Sequence, residues 1–581
     1  MWGGMRLPVT DKDMAHAIAS KPRWWLILAG LAIVLAGGLL AELIRTSGGT
    51  TVRDIRFTGA NGTIMSALLY VPKNATPTTP APGILAVHGY INSRETQDGF
   101  AVEFARRGYV VLALDQTGHG YSQGTAFSNG FGGPDGLRYL RSLPVVDTHQ
   151  IGLEGHSMGG WTVLAAAAAM PAAYSSMVLE GSATGAPYAQ AGSPAWPRNL
   201  AIVFSRYDEF AKLMWDVARA QDVASSSKLQ SVFGTQARIS EKRLYGVIAD
   251  GTGRKLFQPS TTHPGDHVST AAIGYSTEWF AATLVGGTPR PARDQIWYWK
   301  EVGTGIGLVG FVMIMLGAFD VLLRLPVFAS LRGAAIPAAA NRDRAWWQGF
   351  AVSTTLPALL FFPAFLAAFL LLPASRWLPQ AVTTQIALWA LASAGLSLVI
   401  GRFMQRAASM HQSNWLQSVL LAAATVAAGY AALWLVDRLF HTDFRLWVVA
   451  VKLPSVQQWA IAAIYVAPLT LAFLETTRSL ANATVRSDTA GRRYIAAILT
   501  LTTGFIGMLG GIYGALFMTG SLVTAFDPLS TVIAIQFVPV LTAVAIIAIF
   551  TWQRTGSYRT GGLITGMLVT LYAVAGTATQ V

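Results

Sequence analysis

The stretch "GLEGHSMGGW", residues 152–161, contains the pattern Gly155-x-Ser157-x-Gly159 between two apolar segments. The preceding "THQIGLEG" has the composition of a buried strand, and the following "WTVLAAAAAM" that of an Ala-rich helix. Small flanking residues permit a tight strand-to-helix turn that exposes the serine hydroxyl. N–H groups at the start of the helix can stabilise an anion. This context predicts that Ser157 is a nucleophile.

A second copy of the pattern, "GYSQG" from Gly120 to Gly124, shows that the string alone is weak in a chain with 57 glycines. Ser122 also follows a predicted strand. The segment "QGTAFSNGFGG" after it has the composition of a loop, because glycine, serine and asparagine interrupt any helical period. We therefore interpret Ser122 as structural.

Segments on both sides of Ser157 extend the pattern into a series of strands and helices. "APGILAVHGY" and "GYVVLALDQTGHGYS" each contain a buried strand that runs into a Gly-rich turn, and "GFAVEFARRG" between them has helical spacing. "SSMVLEGSA" and "NLAIVFSRYD" add two further strands. Alternating strands and helices predict an α/β domain with a mostly parallel, doubly wound sheet.

The rest of the chain is apolar. Hydrophobic residues make up 52% and charged residues 12% of the sequence. The uncharged run Trp24–Ala41 predicts one membrane-spanning helix, with a cleaved signal peptide as the alternative. Eight further uncharged stretches predict spanning helices, at 302–319, 345–375, 377–401, 412–436, 453–474, 494–526, 528–553 and 560–581. The predicted organisation is a cytoplasmic N-terminus (1–23), an anchor helix (24–44), the α/β domain (46–298) and an all-α bundle of about eight transmembrane helices (302–581).

The net charge of +13 arises mainly in the apolar region, which argues for membrane topology and against a nucleic-acid partner. With a cytoplasmic N-terminus, sixteen basic residues fall in inside segments: Arg6, Lys12, Lys21, Arg23, Arg324, Arg332, Arg342, Arg344, Arg402, Arg406, Arg478, Arg486, Arg492, Arg493, Arg554 and Arg559. The outside loops hold four: Arg376, Arg438, Arg445 and Lys452. This distribution predicts an integral membrane protein with residues 46–298 outside the cytoplasm.

Cofactor and metal sites are not predicted. The chain has no cysteine, which excludes disulfides, thiol nucleophiles and Cys-ligated metals. It contains no Gly-rich phosphate loop, and the lone pair His263 and His267, which lies outside any predicted helix, is a weak zinc pattern.

The segments "HGY", "DQTGHGYS", "GHSMGG" and "SRYDEF", in this order, resemble the α/β-hydrolase superfamily, especially its dienelactone hydrolase and prolyl oligopeptidase-like esterase branch. The resemblance covers about residues 50 to 290. It implies a catalytic triad in the order Ser157, Asp208 and His263. Glu209 and His267 remain alternatives for the acid and the base. The family also implies an oxyanion hole formed by the backbone N–H groups of Tyr90 and Met158.

A longer excursion at residues 210–253 follows Asp208. Its apolar residues either line an acyl pocket or pack on the core, and their helical spacing favours the core. They are Met214, Trp215, Leu229 and Phe233. In the outside loop that precedes 453–474, Arg445 and Trp447 are typical of membrane-interface anchors or of contacts with anionic headgroups.

Two classes of function follow. The first is a membrane-bound extracytoplasmic serine hydrolase, chiefly a carboxylic-ester hydrolase with an acyl-enzyme intermediate. Its expected partners are an ester or acyl substrate and the lipid bilayer, with the eight helices as an anchor or as a platform for lipid-like substrates. Acyl transfer and peptide cleavage use the same triad. The second is a transporter or signalling scaffold with a hydrolase-like sensor domain. Transport requires ionisable groups near mid-bilayer, whereas Asp320 and Glu475 lie at predicted helix ends.

Overall fold

The computed structural model describes residues 22–337, 339–403 and 410–581. The basic residues Arg6, Lys12, Lys21 and Arg406 lie outside these ranges, as does the side chain of Arg402. The predicted fold class is confirmed. A mostly parallel sheet domain stands between an N-terminal apolar helix and a C-terminal helical bundle.

The sheet domain is built on eight strands in the order β1-β2-β4-β3-β5-β6-β7-β8. β1 and β2 are antiparallel additions, and β3 to β8 run parallel to one another. The strands are β1 Thr51–Thr58, β2 Ile64–Val71, β3 Ala81–Val87, β4 Val110–Asp115, β5 Val146–His156, β6 Ser176–Glu180, β7 Leu200–Val203 and β8 Arg254–Phe257.

Helices cover both faces of this sheet. They are α2 Asp98–Arg106, α3 Gly133–Ser142, α4 Met158–Ala169, α5 Ala211–Trp215, α6 Ser227–Phe233 and α7 Thr270–Thr283, with α1 Trp24–Arg45 preceding the domain. Successive strand residues alternate between two cores: Leu85 packs on the face of α3 and α4, and Ile84 packs on the face of α2 and α7. Two covered faces explain why the central strands are apolar throughout.

The bundle contains eight helices: α8 Tyr298–Leu322, α9 Arg344–Leu371, α10 Ala381–Phe403, α11 Trp415–Phe440, α12 Val456–Leu480, α13 Ala490–Thr519, α14 Pro528–Thr555 and α15 Arg559–Gly576. Within the described residues, eight helices are long and apolar enough to cross a membrane, namely α1 and α8 to α14. The chain is therefore a membrane protein by the length and composition of its helices. The 18-residue α15 is not among the eight.

The last predicted span, 560–581, is too long. The helix ends at Gly576, and the chain then runs to the sheet domain, where Thr579 N donates to Gly118 O at 2.8 Å and Ala126 N donates to Thr579 O at 2.7 Å. These bonds satisfy backbone groups that a continued helix would have paired internally. Residues 577–581 therefore join the bundle to the sheet domain.

α1 is an integral part of the bundle, because it packs closely on α8. A Cβ at Gly37 would overlap the carbonyl oxygen of Gly303, and a Cβ at Gly30 would lie 2.8 Å from that of Gly310. Small residues at such crossings let two backbones approach within a membrane.

The bundle has two chemically distinct ends. At one end, Asp320 accepts hydrogen bonds from Arg23 N and from Arg554 Nε, at 3.1 Å and 2.9 Å. At the other, the hairpin of β9 Phe444–Leu446 and β10 Val449–Val451, the 520–527 connection and residues 577–581 all meet the sheet domain. The bundle loops that contact the sheet domain are thus those whose basic residues are few.

Candidate active site

Ser157 lies on a strained turn between β5 and α4, with φ 56° and ψ −120°. A positive φ is uncommon for a residue with a side chain and marks stored strain at many functional sites. A Cβ at Gly159 would overlap the carbonyl oxygen of Val87, and a Cβ at Gly155 would overlap that of Gly159. The turn therefore needs glycine at both positions that the motif supplies. Ser157 is half-buried, and its hydroxyl forms no hydrogen bond to any residue in the described ranges.

Asp208 and His263 form a buried pair, with 2.9 Å between Asp208 Oδ2 and His263 Nδ1. They follow β7 and β8, which are neighbouring parallel strands whose carboxyl ends meet at one edge of the sheet. The other oxygen, Asp208 Oδ1, accepts the Phe210 N–H at 2.8 Å, which fixes the carboxylate plane. Ser157 follows β5 at the same edge, so all three predicted side chains lie at one end of the sheet.

Glu209, the alternative acid, contacts the backbone of the histidine instead of its ring. Glu209 Oε2 accepts the His263 N–H at 2.7 Å, and Oε1 accepts the hydroxyl of Tyr513 from α13 at 2.7 Å. Of the two neighbouring carboxylates, Asp208 is the one that reaches the imidazole.

His267, the alternative base, packs beside the pair without a carboxylate partner. Its ring lies 4.1 Å from that of His156, centroid to centroid, and stands edge-on to Phe100. Both of its ring nitrogens lack a hydrogen-bond partner within the parts of the chain that the structure describes. His267 therefore has no group that would fix its tautomer, whereas His263 has one.

Burial controls the protonation of these groups. It lowers the pKa of His263 to about 4, so this imidazole is neutral at neutral pH and can accept a proton. Burial and the nearby Asp266 raise the pKa of Asp208, while the Phe210 N–H lowers it. Burial also raises the pKa of Glu209 to about 8.

The predicted oxyanion donors lie beside Ser157. Met158 is the first residue of α4, where backbone N–H groups have no intrahelical acceptor. Tyr90 follows β3 and the His88-Gly89 pair. Both residues line the same cavity as Ser157, and neither N–H donates to a backbone carbonyl of the described chain. Both backbone N–H groups therefore belong to residues in the wall of the cavity that contains Ser157.

A mainly apolar cavity of about 360 Å³ contains Ser157 and His263 in its wall. The sheet domain contributes Trp161, Tyr188, Leu213 and Met214, and the bundle contributes Trp447, Phe526, Leu529 and Val532. We call this space the active-site cavity. Its upper wall belongs to the membrane part of the chain.

Three bundle segments also form hydrogen bonds beside the site. Trp447 Nε1 donates to Pro264 O at 2.7 Å, Tyr513 donates to Glu209, and Gln580 Nε2 donates to the Tyr90 hydroxyl at 3.0 Å. These contacts join residues far apart in the chain, and no local sequence pattern indicates them.

The interpretation of Arg445 and Trp447 as membrane-interface residues is wrong. Arg445 is buried and donates to Thr96 at 2.6 Å and to Ser93 at 3.1 Å in the sheet domain, while Trp447 holds the loop after His263. The hairpin carries these side chains towards the sheet domain, where polar partners satisfy them. Sequence analysis also missed His156, whose Nε2 lies 3.0 Å from His263 O.

The four apolar residues of the 210–253 excursion are buried, as the helical spacing favoured. They are Met214, Trp215, Leu229 and Phe233, and all belong to the core of the α3 and α4 face. Met214 also lines the active-site cavity, so one of the four has both roles.

The eight-stranded sheet, the serine turn and the histidine–carboxylate pair give the sheet domain an α/β-hydrolase fold. Comparison with known families agrees: residues 78–240 match the serine aminopeptidase, S33, family of α/β hydrolases. This match contains Ser157 and Asp208 and ends before His263.

Among relatives, the monoacylglycerol lipase of Mycolicibacterium smegmatis is 34% identical over an alignment of 122 residues that covers 19% of this chain. The chain thus spans 41% of the length of that relative. Solved structures with similarity include a dienelactone hydrolase-like promiscuous phosphotriesterase from metagenomic libraries, at 16% identity over 40% of this chain and 99% of that one, with a TM-score of 0.30. An esterase from Pyrococcus furiosus matches at 14% identity over 40% of this chain and 92% of its own, with a TM-score of 0.30.

Proposed function

We propose that this protein is a membrane-bound serine hydrolase that cleaves carboxylic esters with long apolar acyl chains. The observation that carries the proposal is the placement of Ser157, on its strained turn, and the His263–Asp208 pair in the wall of one apolar cavity. The similarity to a monoacylglycerol lipase supports an ester substrate.

In the proposed reaction, His263 Nε2 takes the proton of the Ser157 hydroxyl as the oxygen attacks the ester carbonyl carbon. Asp208 keeps the proton on Nδ1 and stabilises the imidazolium that forms. The N–H groups of Tyr90 and Met158 donate to the oxyanion of the tetrahedral intermediate. The alcohol leaves with the proton from His263, and water then cleaves the acyl-enzyme by the same steps.

The cavity wall supports a lipid-like acyl chain. Phe526, Leu529 and Val532 come from the start of α14 and the connection before it, so the bundle covers the site with apolar side chains. Each buried methylene contributes about 0.8 kcal/mol, which is roughly a fourfold gain in binding. A longer acyl chain should therefore bind more tightly as long as the cavity accommodates it.

We propose that the hydrolase domain lies outside the cytoplasm, and the distribution of basic residues supports this sidedness. Inside and outside loops alternate along the bundle, and the loops that meet the hydrolase domain are those with few Lys and Arg. An extracytoplasmic site would act on esters in the outer half of the membrane.

The test uses purified full-length protein and 4-nitrophenyl esters of increasing acyl length. We expect kcat/KM to rise with chain length, and Ser157→Ala to abolish hydrolysis. Ser122→Thr is the matched control, because Ser122 carries the second copy of the motif but donates to Asp115 O in a buried loop. Hydrolysis that survives in Ser157→Ala would reject the assignment.

A further inference from the structure

A smaller chamber of about 40 Å³ adjoins the active-site cavity between the hydrolase domain and the bundle. The two spaces share wall residues that include Asn92, Trp447 and Gln536. A space of this size holds roughly three water-sized spheres, which is enough for the oxygens of one small anionic group. We call it the Lys452 chamber, after the lysine in its wall.

Lys452 enters the chamber from the loop that follows β10. Lys452 is only 6% exposed. Within the described ranges, its ammonium makes no hydrogen bond and has no carboxylate oxygen within 4.0 Å. A buried cation without a partner is costly, so proteins rarely keep one. The neighbouring Arg445 is different, because Asp443, Thr96 and Ser93 occupy its donors.

Three carboxylates, Glu95, Asp443 and Asp115, interact electrostatically with Lys452, and each has another partner. Glu95 pairs with Arg94 Nε at 3.0 Å, and Asp443 pairs with Arg445 Nε at 2.8 Å. The third, Asp115, accepts the Arg94 N–H at 2.8 Å.

Two buried histidines, His88 and His119, also interact electrostatically with the Lys452 ammonium. Burial lowers the pKa of both, that of His119 to about 4, so neither carries a competing charge at neutral pH. Lys452 lines the chamber, and within the described residues its ammonium has no hydrogen-bond partner.

We propose that the Lys452 chamber binds a carboxylate or phosphate group of the acyl ester whose chain occupies the active-site cavity. The substrate class is then an anionic amphiphile. The assignment of the bound group as part of the substrate rests on the proposed function, whereas anion binding at Lys452 does not.

The test measures binding, so that it does not depend on turnover. Full-length Ser157→Ala protein in nanodiscs of zwitterionic lipid is titrated with a monoacylglycerol and with the 3-phosphate of the same monoacylglycerol. We expect the phosphate compound to bind roughly 10- to 100-fold more tightly, the range for one charge-assisted hydrogen bond. Adding Lys452→Met should remove this preference and leave the affinity for the neutral lipid unchanged.

Two further variants serve as controls for charge and for folding. Lys73→Met removes the same charge from an exposed turn and should keep the preference. Lys452→Arg keeps the charge and should keep much of the preference for the phosphate lipid. This variant tests the proposal if Lys452→Met fails to fold.

Equal affinity for the two lipids in Ser157→Ala, or a preference that survives in Lys452→Met, would overturn the proposal. Inorganic phosphate is the third ligand: we expect millimolar concentrations to displace the phosphate lipid only. If free phosphate binds as tightly as the lipid, the chamber is a phosphate site and the substrate assignment fails. If the proposed function is wrong, the wild-type protein will not hydrolyse esters. The titration uses only Ser157→Ala protein, so its result is independent of that outcome.

Discussion

At the scale of single residues, two adjacent carboxylates contact different parts of one histidine. Asp208 contacts the imidazole of His263, and Glu209 contacts its backbone N–H. The two side chains point in different directions from successive residues, so one fixes the tautomer and the other fixes the loop. This division gives them separable effects on activity.

We expect Asp208→Asn to lower kcat roughly 10⁴-fold, because an amide that donates to Nδ1 stabilises the wrong tautomer. Glu209→Gln keeps an acceptor for the His263 N–H and should cost less than about tenfold, the effect of one neutral hydrogen bond. Steady-state kinetics on one ester compares the two variants. Losses of the same size would mean that Asp208 is not the partner of the base.

The pH dependence follows from the burial of His263. A base must be neutral to accept the serine proton, and burial lowers the pKa of His263 to about 4. We therefore expect kcat/KM to be constant near neutral pH and to fall as the pH drops through about 4. If activity is regained on return to pH 7, the loss at low pH reflects titration and not irreversible unfolding. An acidic limb at the ordinary histidine value, about 6.5, would contradict this account.

The sequence allowed several of these residues to be named, and physical reasons separate them from the rest. Glycines around Ser157 and the order of strand ends indicate a turn and its neighbours from local pattern. The sequence did not decide between Asp208 and Glu209, because the contact that occupies Glu209 comes from Tyr513, which lies 304 residues away. His156 was missed, since a histidine inside a strand gives no periodic signal.

At the scale of elements, helices and strands of the bundle hold the loops that carry the site. The β9–β10 hairpin bonds to Pro264 through Trp447, and α13 bonds to Glu209 through Tyr513. The loop after β8 is therefore fixed from the membrane side as well as by the sheet. Displacement of α13 would be transmitted to the backbone of His263.

We expect Tyr513→Phe to lower kcat by about tenfold with little change in KM, because Glu209 loses a buried donor and holds the His263 loop less firmly. Tyr430→Phe is the matched control on α11, where the hydroxyl has no hydrogen-bond partner within the described residues. The measurement compares kcat, KM and the thermal unfolding temperature of both variants with those of the wild type. An unchanged kcat in Tyr513→Phe would show that α13 does not position the base.

At the scale of the whole molecule, the sheet domain and the bundle share the candidate site, because both contribute residues to the wall of the active-site cavity. Uncharged runs and strand–helix alternation predict the two parts and their order. They do not predict the interface between the sheet domain and the bundle, because its contacts join residues that are far apart in the chain and follow no sequence periodicity. The end of α15 was misjudged for the same reason: Thr579 pairs with Gly118, so partners in the other domain end the helix.

A membrane-impermeant fluorophosphonate probe tests whether Ser157 is an activated nucleophile outside the cytoplasm. Intact cells and lysed cells that express wild type, Ser157→Ala or Ser122→Thr are labelled in parallel. We predict equal labelling of wild type and Ser122→Thr in intact cells, and none in Ser157→Ala. Labelling only after lysis would contradict the proposed sidedness, and labelling that persists in Ser157→Ala would contradict the nucleophile.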